Sequence, residues 1–149
     1  MLKLVFLLFF FSSFSAAVVN ASDVDSYFAS LKSSESNVRS GPGLNFPVKW
    51  IVINHKIPIS VIDKYNAWLK IQDEDGFEGW IHRSLLGKKQ YFVVKNNMAI
   101  LYKNPSSLLI PIYKLQSGVR GEIKSCRKQW CNVMIANIIG WININDIWG

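Results

Sequence analysis

Trp68-Leu69-Lys70-Ile71, Gly79-Trp80-Ile81 and Leu86-Gly87 return further along the chain as Trp130-Cys131-Asn132-Val133, Gly140-Trp141-Ile142 and Trp148-Gly149. Trp130 follows Trp68 by 62 residues, Trp141 follows Trp80 by 61, and Gly149 follows Gly87 by 62. Upstream, Pro58-Ile59-Ser60-Val61 faces Arg120-Gly121-Glu122-Ile123 at the same offset of 62. A block that recurs at a fixed spacing is one structural unit written twice, so the chain is read as two small domains.

Within each copy the apolar periods are those of strands. Ile57 to Ile62 alternates apolar with polar or small residues, Asp63-Lys64-Tyr65-Asn66 turns the chain, and Trp68 to Ile71 and Glu78 to His82 are further short strands around an acidic turn. Ser84-Leu85-Leu86 reads as a tight turn. In the second copy Tyr91 to Val94, Ala99 to Tyr102, Ile110 to Leu115, Arg120 to Cys126, Trp130 to Ile135 and Gly140 to Ile144 repeat the pattern. Short β-branched and aromatic runs split by Gly, Asn and Asp clusters indicate an all-β barrel or sandwich. No segment of 37–149 keeps apolar residues at helical spacing for more than about two turns. The linker Lys88-Lys89-Gln90 is short enough to hold the two units close together.

The N-terminus has a different character. Met1-Leu2-Lys3 is a basic start, Leu4 to Phe11 an unbroken apolar run, and Val19-Asn20-Ala21 a small-residue exit. Those are the three parts of a secretory signal peptide over 1–21; the apolar core is shorter than the about 20 residues of a spanning helix. A retained signal anchor is the rival account. Removing 1–21 takes away Lys3 and lowers the net charge from +7 to +6. No later stretch is long and apolar enough to span a membrane, so the mature protein is expected to be exported, periplasmic or secreted. Residues 22–36 are polar and serine-rich and read as a flexible leader, with one loose helical turn around Tyr27-Phe28.

Charge is uneven. Residues 37–89 hold eight basic and five acidic side chains, whereas 90–149 hold seven against two. In an exported protein such a balance points to anionic surfaces, cell-wall polymer or lipid headgroups, rather than to nucleic acid; a solvated basic surface is the plain alternative. The second copy is the better candidate for an anionic partner. Cys126 and Cys131 flank Arg127 to Trp130. In an oxidising compartment such a pair is usually a disulfide, and a hairpin at 127–130 would bring the two Cβ atoms together. Two thiols leave the usual four-ligand zinc shell half empty, and no metal or cofactor is expected.

The run Asn37-Val38-Arg39-Ser40-Gly41-Pro42-Gly43-Leu44-Asn45 resembles the opening signature of bacterial Src-homology-3-like (SH3b) domains. Ile59 to Ile62, Trp68, Gly79-Trp80-Ile81 and Leu85-Leu86 supply the remaining pieces of that pattern. The second copy keeps Trp130, Gly140-Trp141-Ile142 and Trp148-Gly149 but lacks the Val-Arg-Ser-Gly-Pro run. With its Cys-x-x-x-x-Cys pair, it is similar to a paired-SH3 subgroup of exported proteobacterial proteins. The resemblance implies two tandem small SH3-like β-barrels, over 37–89 and 90–149. It also implies non-catalytic binding of cell-wall peptide, peptidoglycan or an envelope protein partner.

Catalysis finds little support in the residues. His55 and His82 lie in the first copy and both thiols in the second, so no Cys–His pair is adjacent in sequence. Asp73, Glu74, Asp75 and Glu78 imitate a cation loop but lack its spaced ligand pattern, and a solvated turn is the simpler account. Gly41-Pro42-Gly43 has Pro where a phosphate loop needs backbone donors. Aromatic residues are the better lead, since Trp and Tyr offer flat apolar faces with a hydrogen-bonding tip. Trp50, Tyr65 and Trp68 flank loops in the first copy, and Tyr102, Tyr113 and Trp130 in the second; Trp80 and Trp141 are expected to be core or fold-defining. Arg39 and Arg83 are candidates for a carboxylate clamp, with an internal salt bridge to the acidic turn as the alternative. A structural role in envelope assembly, with packed barrels and no groove in use, is the second functional hypothesis.

Overall fold

The computed structural model describes residues 25–53, 56–105 and 108–149. The expected signal peptide, His55 and Ser106-Ser107 lie outside the described residues. The first copy contains β1 (Tyr27–Leu31), β2 (Glu35–Arg39), β3 (Val48–Ile53), β4 (Pro58–Tyr65), β5 (Trp68–Gln72) and β6 (Glu78–His82), then a 3-10 turn (Arg83–Leu85) and β7 (Leu86–Gly87). The second contains β8 (Gln90–Val94), β9 (Met98–Tyr102), β10 (Pro111–Gln116), β11 (Arg120–Arg127), β12 (Trp130–Ile135) and β13 (Ile138–Asn143), then a 3-10 turn (Ile144–Asp146) and β14 (Ile147–Trp148). Their strand orders, β3-β2-β6-β5-β4-β1-β7 and β10-β9-β13-β12-β11-β8-β14, are the same order written twice. The expected all-β pair of barrels is what the chain forms.

Alternation explains how each strand sits. In β5, Leu69 and Ile71 are buried while Trp68, Lys70 and Gln72 face outward, as the period of two in a half-buried strand requires. One core gathers Leu31, Val38, Ile59, Val61, Ile71 and Ile81. The other gathers Phe92, Leu101, Leu115, Val133, Ile142 and Cys131. The β4–β5 and β11–β12 hairpins turn at Asn66 and Lys128, both with positive φ. Across the second hairpin Cys126 stands directly opposite Cys131, and the two are joined in the expected disulfide.

Residues 27–36 are not a flexible leader, and no helical turn forms at Tyr27-Phe28. β1 runs antiparallel to β4, with Ala29 opposite Ile59, and to β7, with Leu31 opposite Leu86. Ala29, Ser30 and Leu31 are buried. The local composition is polar enough to suggest a solvated segment, but tertiary pairing decides its state. β1 fills the position that β8 fills in the second barrel, and without it β4 and β7 would have no partner between them. The first barrel therefore begins at Tyr27 rather than Asn37.

The two barrels meet along β1, the Lys88-Lys89 linker and β8. Phe28 packs edge-on against Trp148, with ring centroids 5.0 Å apart. The Ser30 hydroxyl donates to the Lys89 carbonyl. An ion pair joins Arg120 of the second barrel to Glu74 in the acidic turn of the first.

Candidate functional site

The outward face of β2, β6, β5 and β4 collects much of the first barrel's distinctive chemistry. Directly opposed residues of neighbouring strands share a face, and Tyr65 opposes Trp68, which in turn opposes His82. The next row holds Lys70 opposite Trp80, and Trp80 opposite Arg39. Trp68 meets the His82 ring edge-on at 5.5 Å, and Lys70 pairs with Glu78 at 2.6 Å. Tyr65, 58% exposed, leaves its ring available to a ligand.

Of the residues proposed from sequence, Arg39, Tyr65 and Trp68 come together here, whereas Trp50 and Arg83 do not. Trp50 opposes the buried Val38 and is packed against the core, with Phe77 6.4 Å away. Arg83 stands on the 3-10 turn, where its backbone N–H donates to the Ala67 carbonyl at 2.9 Å, and lines a separate opening with Phe28 and Leu86.

The contacts that Arg39 makes within the chain are with its own loop rather than with the acidic turn. Its Nη1 donates to the carbonyl oxygens of Phe46, at 2.8 Å, and Leu44, at 3.3 Å. The guanidinium thus braces the Gly-Pro loop, over which the Phe46 ring lies against Gly41 so closely that a Cβ there would meet it at 2.4 Å. The acidic turn has its own internal partners. Asp73 accepts from the backbone N–H groups of Asp75 and Phe77 at 3.1 and 2.9 Å, Glu74 reaches Arg120 and Glu78 reaches Lys70. His82 caps the 3-10 turn, its Nδ1 accepting from the Ser84 N–H at 3.3 Å.

The second barrel repeats the face with two side chains exchanged. Tyr102 opposes Trp141 where Arg39 opposes Trp80, and Arg127 opposes Trp130 where Tyr65 opposes Trp68. Tyr102 meets Trp130 edge-on at 5.5 Å, and the Arg127 guanidinium lies over the Trp141 ring at 4.7 Å. Each face therefore offers two Trp, one Tyr and one Arg, in opposite placement. Tyr113, 52% exposed, takes the place of Trp50 on the third strand and stands apart.

Trp80, Trp141 and Arg127 are the residues that the sequence reading missed. Of the two roles expected for these tryptophans, core or fold-defining, the core one fails: their neighbours Ile81 and Ile142 are buried and alternation turns the Trp rings outward. Alternation in the sequence leaves two options, since a short strand Gly-Trp-Ile can bury its Gly and Ile or its Trp but not all three, and the structure takes the first. Among the described residues no group of three or more His, Cys, Asp or Glu is placed to hold a metal, and no helix is long and apolar enough to cross a membrane.

Two barrels of one topology, each carrying the Trp … Gly-Trp-Ile pattern, define a tandem small-barrel protein. The family described as bacterial SH3 domain matches residues 32–88 and 95–149, and the chain belongs to that family. Bacterial SH3 domains are generally cell-wall binding modules, typically non-catalytic and common in exported proteins. No curated protein matches the chain significantly. Among solved structures, NlpC2 from Trichomonas vaginalis is 13% identical at a TM-score of 0.38, over 83% of this chain and 48% of that one. An NlpC/P60 family protein from Bacillus cereus ATCC 10987 is 17% identical at a TM-score of 0.37, over 82% of this chain and 56% of that one. The chain thus spans about half the length of these proteins.

Proposed function

We propose that the protein is a non-catalytic exported binding module that recognises cell-wall peptide, peptidoglycan or an envelope protein partner through the outward face of the first barrel. The observation that carries this reading is the meeting of Tyr65, Trp68, Trp80 and His82 on one sheet face beside a braced loop. Flat rings with polar tips suit a ligand that alternates apolar and hydrogen-bonding groups, as peptide and sugar chains do. Arg39 contributes by fixing the loop at the edge of that face rather than by clamping a carboxylate. The disulfide occupies both thiols, which supports a non-catalytic role over a cysteine-peptidase one.

The test is co-sedimentation of purified protein with purified sacculi, comparing wild type with Trp68→Ala. Wild type should pellet with the sacculi, and the folded variant should bind about tenfold less, as loss of one aromatic contact of about 1.4 kcal/mol implies. Equal retention of both in the supernatant would remove cell-wall binding through this face. A second reading, an assembly protein of the envelope, draws support from the packing of Phe28 on Trp148, which joins the barrels into one body. It predicts capture of an envelope protein that survives Trp68→Ala.

A further inference from the structure

The seam between the barrels gathers positive charge from the first barrel and the linker, closed on one side by the second barrel's Tyr91. Lys32, Lys56, Lys88, Lys89 and Tyr91 line an opening of about 410 Å³, and among the described residues no carboxylate belongs to that lining. Lys56 and Tyr91 also line a second opening of about 190 Å³, together with Arg120 and Glu122. Two shared residues make the openings neighbours along one groove.

The fold explains why these lysines converge. Lys32 leaves β1 beside Gly87, where a Cβ would meet the Lys32 Cβ at 3.3 Å, and its backbone N–H donates to the Leu85 carbonyl at 3.0 Å. Lys88 and Lys89 form the linker, Lys56 leads into β4, and Tyr91 comes from β8. Glu122 at the groove's far end is matched already: Lys124 binds it at 2.9 Å and Lys89 stands 3.9 Å away. Its carboxyl is held below the ordinary value by the Lys124 hydrogen bond first, and then by the charges of Lys124, Lys89 and Lys56.

We infer that this inter-barrel groove is a binding site for a ligand carrying adjacent phosphate groups, held by Lys32, Lys56, Lys88 and Lys89. Ammonium groups act as point charges suited to tetrahedral phosphate oxygens, whereas a planar carboxylate is better matched by the fork of Arg. Two joined openings suit a short chain of charges better than a single ion, and Tyr91 adds a hydroxyl to the lining. The site lies apart from the aromatic face and does not depend on it.

Sodium tripolyphosphate, titrated calorimetrically into the full chain at low ionic strength, is the probe. Saturable binding is expected, weakened about tenfold in Lys32→Gln/Lys88→Gln, as the loss of two phosphate contacts implies. Lys64→Gln/Lys103→Gln removes the same charge away from the seam and should bind like wild type. Co-sedimentation with phosphatidylglycerol vesicles separates the sources of phosphate. Vesicle binding lost only in the Lys32/Lys88 variant, without tripolyphosphate binding, assigns the site to lipid headgroups. No saturable binding to either probe, or equal losses in both lysine pairs, overturns the inference. Thermal melts of each variant check that the surface changes leave the fold intact.

Discussion

A Cβ added at Gly79 would lie 2.4 Å from Val38 Cγ1, 3.1 Å from the Arg39 carbonyl oxygen and 3.2 Å from the Trp50 ring. The strand β6 therefore crosses β2 at a distance that only glycine permits, and that crossing places Trp80 on the outward face opposite Arg39. Gly79→Ala should lower stability by about 1–3 kcal/mol through overpacking, read as a reduced urea midpoint followed by tryptophan fluorescence. An unchanged midpoint would mean that β2 and β6 separate without cost. The same three-residue stretch shows what was legible in the sequence at this scale. Its recurrence marked it as part of the fold. Its Trp is expected to be core or fold-defining, because a large apolar ring raises that expectation by itself, and only the burial of both neighbours turns it outward.

Among the elements, β1 departs most from its composition. Two of its five residues are exposed, and the buried remainder is Ala29-Ser30-Leu31, a run too short and too mixed to announce a strand. β8, its twin, reads Tyr91-Phe92-Val93-Val94 and was visible as a strand from sequence. If β1 is integral to the barrel, Leu31→Ala should cost about 2–5 kcal/mol, as for other buried leucines; a solvated leader would show no change in the urea midpoint. The β11–β12 hairpin was easier to read, because two cysteines flanking a four-residue stretch are matched to directly opposed positions. Mass spectrometry of unreduced protein should find no alkylatable thiol. The double variant Cys126→Ala/Cys131→Ala should be less stable by about 2 kcal/mol, the chain-entropy value for so small a loop.

In the whole molecule, charge is organised by the meeting of the barrels. The Glu122 carboxyl is held below its ordinary value chiefly by the hydrogen bond from Lys124. A depressed carboxylate contributes stability above its unfolded-state pKa and loses it as pH falls through the folded-state value. Wild type should therefore melt above Glu122→Gln near neutral pH, with the difference vanishing below the carboxylate range, as measured by calorimetry across pH. The effect is small, since the Lys124 partner is solvated. Sequence counts favoured the second repeat as the basic half, yet four of the seam's cations belong to the first barrel and the linker. Net charge per segment says how many charges exist, but the packing of two surfaces decides where they meet.

The sequence by itself determined that the chain is all-β, that it holds two copies of one barrel, and that two cysteines close one hairpin. Each of these rests on local information: alternation, turn residues and short-range repetition. Tertiary structure alone decided that residues 27–31 complete the first barrel, that Arg39 braces a loop, and that Trp80 and Trp141 face outward. It also set Lys32 after β1, Lys56 before β4 and the linker lysines around one groove. These outcomes depend on pairings between residues far apart in the chain, whose energies are fixed by contact and burial rather than by neighbouring sequence.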